Sequence, residues 1–465
     1  MSAKINRRVF CRNTALPFLG VLVLNNGRSA CSYAANEKLN VALVGVGGRG
    51  TWFVGTMPTL NTNVVAMCDV NERKAEPSFK EIPAARKFND FRKMLDEMGK
   101  EIDAVVVATP DNTHAVATAA AMRAGKGVFC EKPLTHDIKE ARAIRLLAAE
   151  CKVATQMGNQ GTSSDAFRRA VELVQAGVLG EVREVHAWNT GGNPGDRSIP
   201  TEEQKVPEYL HWDLWLGPAK YRPYNSRWLD GWHGWRDFGT GNLGNWASHT
   251  MNLPFKALWL DTLWTQQSNA SAKTLVKLTP EVSGVHLHSL PKWEIIHYDF
   301  PARGDMPPVR IHWYNGPGQA PGPRDQIEQM LGRRLDWGDA GEKKWADHSG
   351  CLLIGSKAMI HSTGHNMSFT LLPEDKFKDF EGPARVLPRS RGHEREWLDA
   401  CKGGPAAMSN FDYAGRLAEF VLLGNVATLV GEPIEFDPLE MKVVNNAQAD
   451  AALGREYRKG WSLRG

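Results

Sequence analysis

The stretch Asn40-Val41-Ala42-Leu43-Val44-Gly45-Val46-Gly47-Gly48-Arg49-Gly50, an aliphatic run that closes on G-x-G-x-x-G, decides the fold of this chain. In that spacing the first glycine permits a tight turn out of a strand and the second lets backbone approach a pyrophosphate. The third lets the following helix pack closely, with its N-terminal dipole toward the anion. Asp69, nineteen residues past Gly50, ends a second aliphatic run from Asn63. A carboxylate there accepts hydrogen bonds from both ribose hydroxyls and repels a 2′-phosphate, so the pattern predicts NAD in preference to NADP. Gly45, Gly47, Gly48, Arg49, Gly50 and Asp69 are the cofactor contacts this reading assigns.

Outward from that turn, short aliphatic runs alternate with segments of helical apolar spacing. Ala104 to Thr109, Gly127 to Glu131 and Val153 to Gly158 read as buried strands; Thr113 to Ala124 and Asp137 to Cys151 read as helices. Such alternation is the signature of βαβ units and a parallel sheet. The expected organisation is α/β, with an N-terminal Rossmann doubly wound parallel sheet over residues 36–160. Beyond it the pattern changes to a helix at Ser164 to Ala176, a strand at Glu181 to Asn189 and a Gly/Pro-rich loop from Gly191 to Pro207. Val285 to Ser289, Trp293 to Phe300 and Pro308 to Tyr314 follow as strand candidates without intervening helices. Residues 161–465 are therefore expected to form a C-terminal α+β domain on a largely antiparallel open sheet, with Gly316 to Lys344 as a surface insertion.

Composition bounds the function. A chain of 465 residues exceeds what one core supports, and 42% apolar with 23% charged residues excludes a disordered protein. The first 34 residues carry Lys4, Arg7, Arg8, Arg12 and Arg28 and no acid, so the net charge of +4 leaves the rest of the chain at −1. The body is close to neutral and has no electrostatic footprint for nucleic acid. Residues 1–35 read as a signal peptide of twin-arginine type: Arg7-Arg8 precede an apolar run, Ala15 to Leu24, that is too short to span a bilayer. The expectation is export of a folded protein to the periplasm, with no membrane span after removal of the signal. Cys68, Cys130, Cys151, Cys351 and Cys401 form no CxxC pair, which fits folding in the cytoplasm first.

Two further motifs fall where strand ends meet the crevice of a doubly wound sheet: Thr109-Pro110-Asp111-Asn112-Thr113-His114 and Glu131-Lys132-Pro133-Leu134. A lysine so placed suits an oxygen that develops negative charge. With the glycine turn and Cys68-Asp69-Val70, this ordered set resembles the Gfo/Idh/MocA family of NAD(P)-dependent sugar and inositol oxidoreductases. The resemblance implies cofactor contacts at Thr109, Pro110, Asn112, His114, Glu131, Lys132 and Gln160, and a catalytic role for Lys132. It implies that the segment Gly241 to Asn252 is the family's Asp-x-x-x-His helix, with His249 as general base and substrate contacts at Lys132, Asn245 and His249. Asn245 stands where the family commonly has Asp; an amide binds a hydroxyl but cannot stabilise an imidazolium.

Nine of the sixteen tryptophans lie between Trp188 and Trp264. Indole faces stack on pyranose C–H faces, so Trp232, Trp235 and the adjoining Arg236 are assigned to a carbohydrate substrate. No metal is expected: there is no H-E-x-x-H, and His286 with His288 reads as strand alternation. The sum is a periplasmic NAD-dependent oxidoreductase acting on a secondary hydroxyl or ketone of a sugar, glycoside or cyclitol, with a tightly bound, recycled cofactor. A homo-oligomer is implied by the resemblance. An NAD-dependent glycosidase or lyase working through transient oxidation, and a non-catalytic sugar-binding protein with structural NAD, are the alternatives.

Overall fold

Four-residue runs such as Ala104-Val105-Val106-Val107 offer no polar face, so they belong where both sides of a sheet are covered. In the computed structural model, which describes residues 38–265, 274–319, 327–329, 332–334 and 348–464, that is where they lie. The predicted leader and most of the Gly316 to Lys344 insertion fall outside the described residues. Strands β1 (Leu39–Val44), β2 (Thr62–Cys68), β3 (Arg86–Phe88), β4 (Ala104–Val107), β5 (Gly127–Cys130) and β6 (Thr155–Met157) form an all-parallel sheet of order β3-β2-β1-β4-β5-β6. The order reverses between β1 and β4, and the loops after these two strands open onto one crevice. β3 has no sequence signal: Arg86-Lys87-Phe88 is short and polar, and pairing with β2 alone makes it a strand.

The second sheet has nine strands: β7 (Val182–Asn189), β8 (Val276–Val282), β9 (Glu294–Phe300), β10 (Val309–Asn315), β11 (Ser349–Gly355), β12 (Met359–Thr363), β13 (Phe369–Leu372), β14 (Ile434–Asp437) and β15 (Lys442–Val443). Their order is β13-β12-β11-β7-β10-β9-β8-β14-β15, antiparallel throughout except for β7 beside β10. Strict alternation along β10 sends Ile311 and Trp313 into the main core and Arg310, His312 and Tyr314 to the opposite face. The expected strand at Val285 to Ser289 is instead a loop. Its apolar members Val285 and Leu287 face solvent, at 53% and 67% exposure, and His286 reaches Asp196 at 3.0 Å. Alternation there had no core to serve.

The helix Phe411–Val430 is long and apolar enough to cross a membrane, yet most of it is buried inside the protein. It packs on the helix Ile138–Cys151, so it belongs to the core that joins the two sheets. Glu419, with no exposed side chain, receives two hydrogen bonds of 2.7 Å from Arg142 and one of 2.8 Å from the Trp264 indole. The chain beyond residue 390 also returns to the first sheet. Trp397, fully buried, sits 5.7 Å from Phe129 and completes a core with Phe53 and β1.

Candidate active site

The cofactor cradle starts at Gly45. Its φ of +85° is open to glycine, and a Cβ there would stand 2.6 Å from the Ala108 carbonyl oxygen at the end of the neighbouring strand. A Cβ on Gly50 would collide with the Gly45 carbonyl, so the turn closes only with both glycines. The helix Thr51–Thr59 starts here with no side chain capping it, leaving its positive end for an anion. Asp69, at the end of β2, accepts from the Val46 and Gly47 amides at 2.8 and 2.9 Å and from the Asn71 amide at 2.8 Å. Burial raises its pKa, and these three N–H donors oppose the rise. A cleft runs along this edge, lined by Gly45, Gly47, Gly48, Arg49, Asp69, Lys74, Thr109 and Pro110, with Trp215 and Trp232 on the far wall.

The residues fit the dinucleotide. Among the described residues nothing lies within 4 Å of a Cβ built on Gly48 and the buried Thr109 Oγ1 has no hydrogen-bond partner, so both leave room for a ligand in the cleft they line. Other predicted contacts act one step back. Asn112 is fully buried and donates to the Leu216 carbonyl. Both ring nitrogens of His114 meet carbonyl oxygens, Pro133 at 2.7 Å and Thr109 at 2.8 Å, which needs two N–H donors. Burial opposes that charge, but Cys130, Asp111 and the Pro133 carbonyl outweigh it and hold the ring's pKa up to about 10. His114 therefore clamps the two crevice loops to each other and does not line the cleft. Gln160 opens the short turn after β6. Glu131, buried, accepts from the Arg49 Nε at 2.8 Å, tying β5 to the glycine turn.

Lys132 leaves β5 beside the cleft, and its bond to Pro133 is cis. A Cβ on Gly244 would come within 2.9 Å of the Pro133 ring, so this glycine lets the helical segment Gly241–Thr250 lie against the loop. Thr240, just before that segment, donates to Asp111 through its amide at 3.0 Å and its hydroxyl at 2.5 Å. Asn242 is bound to Asn189, Gly192 and Asn315, which fixes the segment on the second sheet. The outcome is contact between two motifs far apart in sequence: the Lys132 ammonium donates to the Asn245 amide oxygen.

His249 follows one turn on. It is buried, its Nδ1 has no partner among the described residues, and burial, then Lys132, then His365 push its pKa far below the usual imidazole value. These effects favour the neutral ring, which can accept a proton. His365, from the turn between β12 and β13, lies 4.5 Å from the His249 ring and 5.1 Å from Trp246, ring centre to ring centre. His233 feels both Asp111 and Lys132. Sequence spacing carried no sign of His365 or His233, because the second sheet and the loop before the motif bring them in.

Two substrate assignments are corrected. Trp235 has no exposed surface and its indole donates to the Arg227 carbonyl, so no face is left for a sugar. It belongs to a small aromatic core with Trp212, Trp215, Trp228 and Phe238, built from the tryptophan-rich segment itself. Arg236 spends its donors on His286, Ser289, Asn425 and Thr428. Trp232 is half-buried, but on the wall of the dinucleotide cleft. Trp246, not singled out from sequence, is the indole beside His249.

Residues 39–159 match the family model described as "Oxidoreductase family, NAD-binding Rossmann fold", and residues 172–261 match its partner, "Oxidoreductase family, C-terminal alpha/beta domain". These two stretches match the paired domain models of the Gfo/Idh/MocA oxidoreductase family. An inositol 2-dehydrogenase 2 of Mycolicibacterium vanbaalenii is 33% identical over 181 residues, 37% of this chain and 52% of that protein. A second inositol 2-dehydrogenase 2, from Saccharopolyspora erythraea, is 30% identical over 154 residues, 32% of this chain and 44% of that one. The chain thus spans about half the length of the curated relatives it matches. Two solved structures share the fold: levoglucosan dehydrogenase in complex with NADH (TM-score 0.54, 15% identity, 86% of this chain and 99% of that one) and aldose–aldose oxidoreductase from Caulobacter crescentus (TM-score 0.53, 15%, 86% and 100%).

Asn245 changes the electrostatics of Lys132. Burial pushes the lysine pKa down, Glu131 and Asp111 oppose, and the group it touches is neutral. The protonated form is therefore lost at lower pH than for a free lysine. Asn245→Asp puts a carboxylate against the ammonium, and the alkaline limb of the pH–rate profile is expected to move up by about 1–2 pH units. Asn245→Ala should not reproduce that rise; a limb that stays put in Asn245→Asp would show that Lys132 does not set it.

Proposed function

We propose that this protein is an NAD-dependent oxidoreductase that oxidises a secondary hydroxyl of a sugar, glycoside or cyclitol, or reduces the matching ketone. One observation carries the reading: Lys132, Asn245 and His249 converge beside a cleft whose glycine turn and Asp69 fit a dinucleotide. Gly45, Gly47, Gly48, Asp69 and Thr109 would hold NAD, which when bound accepts the hydride from the carbinol carbon or returns it to a ketone. His249, kept neutral, takes the hydroxyl proton. Lys132 donates a hydrogen bond to the oxygen as its charge develops, and Asn245 aims the lysine. Trp246 and His365 supply an indole face and a polar edge for the ring.

The twin-arginine motif supports export of the folded, cofactor-loaded protein to the periplasm, where free NAD is scarce and recycling within the site is required; a homo-oligomer is proposed with it. The test is the absorbance and fluorescence of untreated purified protein, before and after a panel of sugars, glycosides, cyclitols and 3-keto sugars. Bound nicotinamide that changes redox state with one panel member supports the reading. Aglycone release without net NADH would assign transient oxidation followed by bond cleavage instead, and protein that neither carries nor takes up nicotinamide overturns both. His365→Ala is expected to raise KM for the responding sugar about tenfold, roughly 1.4 kcal/mol, with nicotinamide binding unchanged. An unaltered KM would remove His365 from the substrate pocket.

A further inference from the structure

We propose that Glu184, His186 and His312 bind a divalent d-block cation of the zinc class on the outer face of the second sheet, away from the nucleotide cleft. Register puts the residues together. His312 of β10 is level with His186 of β7 on one side and His297 of β9 on the other, and alternation turns all three away from the main core. One ligand atom from each of Glu184, His186 and His312 lies within 4.8 Å of the others. The His186 Nε2 and Glu184 Oε1 are already 3.3 Å apart. That matches the edge of a tetrahedron with metal–ligand bonds of about 2.0–2.1 Å. The His186 and His312 rings stack with centres 4.7 Å apart, so side-chain rotation on strands already in register closes the remaining gap.

The second observation is what the other ring nitrogens do. A metal-binding imidazole characteristically hands its remaining N–H to a fixed partner, which sets its tautomer and aims its lone pair. The Nδ1 of His186 meets the Tyr314 hydroxyl at 3.0 Å, leaving Nε2 toward Glu184. The Nδ1 of His312 meets the Nδ1 of His297 at 2.7 Å, and His297 reaches Glu281 through its Nε2 at 3.5 Å. Two nitrogens facing each other share one proton. With His297 donating to Glu281 from Nε2, its Nδ1 accepts from His312 and the lone pair of the His312 Nε2 is free. Arg333 holds the other oxygen of Glu184 at 2.6 Å, so Oε1 alone is presented to the ion. Two imidazoles and one carboxylate, with water as fourth ligand, form a donor set for zinc and its neighbours and not for calcium or magnesium. Sequence spacing gives no sign of it, because the ligands come from two strands that only the sheet makes adjacent.

The test uses untagged full-length protein stripped with a chelator and titrated with Co²⁺, then Zn²⁺, following visible absorption and stoichiometry. The expected result is one Co²⁺ per chain with the intense bands of a tetrahedral nitrogen and oxygen site, displaced by Zn²⁺. His186→Ala and His312→Ala should each weaken binding at least 100-fold, and His297→Ala, a positioning residue, about tenfold. His286→Ala is the control and should change nothing. No stoichiometric Co²⁺ bands, or bands retained in both His186→Ala and His312→Ala, overturns the site. Circular dichroism checks the fold of each variant, and His312→Gln replaces any that does not fold. The readout is independent of nicotinamide and turnover.

Discussion

Lys132→Ala is expected to lower turnover by about 10²–10⁴-fold while the nicotinamide content of the purified protein stays unchanged. The two halves of that result come from geometry. Lys132 is absent from the residues that line the dinucleotide cleft, so removing it leaves the glycine turn, Asp69 and Thr109 as they are. It is the cation beside the motif helix, and its loss takes away the donor that meets the developing oxyanion. It also leaves the Asn245 oxygen, which the ammonium now occupies, with nothing to orient. About 3–5 kcal/mol of transition-state stabilisation corresponds to that range. Single-turnover absorbance of the bound nicotinamide after sugar addition measures it directly, free of product release. A variant that keeps wild-type single-turnover rates would end the assignment, and one that arrives without cofactor would recast Lys132 as a cradle residue.

The second large effect is on stability. Glu419→Ala should cost about 3–5 kcal/mol, because it strips a fully buried carboxylate from a side chain that stays behind. Arg142 is only 15% exposed and gives Glu419 two hydrogen bonds, and the Trp264 indole gives a third. The pair joins the helix Ile138–Cys151, which flanks the first sheet, to the helix Phe411–Val430, which packs on strands of both. Urea midpoints on the full-length chain read the loss. Replacing both partners by leucine should recover much of it, since two apolar side chains leave no charge unpaired. A loss below about 1 kcal/mol in Glu419→Ala would mean that water reaches Arg142 and replaces the carboxylate.

Much of the first sheet was legible because its signals are local. The strand ends, the turn at Gly45 and the acid at Asp69 lie within one βαβ unit, where backbone sterics and burial act over a few residues. The same locality explains the misses. Val285 to Ser289 alternates like a strand, but alternation says only that side chains point two ways; without an adjacent strand to pair with, the segment stays a loop with Leu287 in solvent. Trp235 and Arg236 sit beside the motif helix in sequence and invited a substrate role. Whether an indole stacks on a sugar or packs into a core depends on what lies against it, and in this chain Trp235 meets Trp228 edge to face, with ring centres 4.8 Å apart.

The amino-acid sequence by itself determined the parallel sheet and the dinucleotide turn, which rest on local steric reasons, while Lys132, Asn245 and His249 were singled out by the resemblance of their motifs to a family. Only the tertiary structure decided that Lys132 meets Asn245, that His365 covers His249, that His114 clamps two loops, and that His186 stands level with His312. Those are contacts between strands and loops distant in the chain. Their geometry comes from how two sheets and a connecting helix bury apolar surface together, which no stretch of sequence specifies alone.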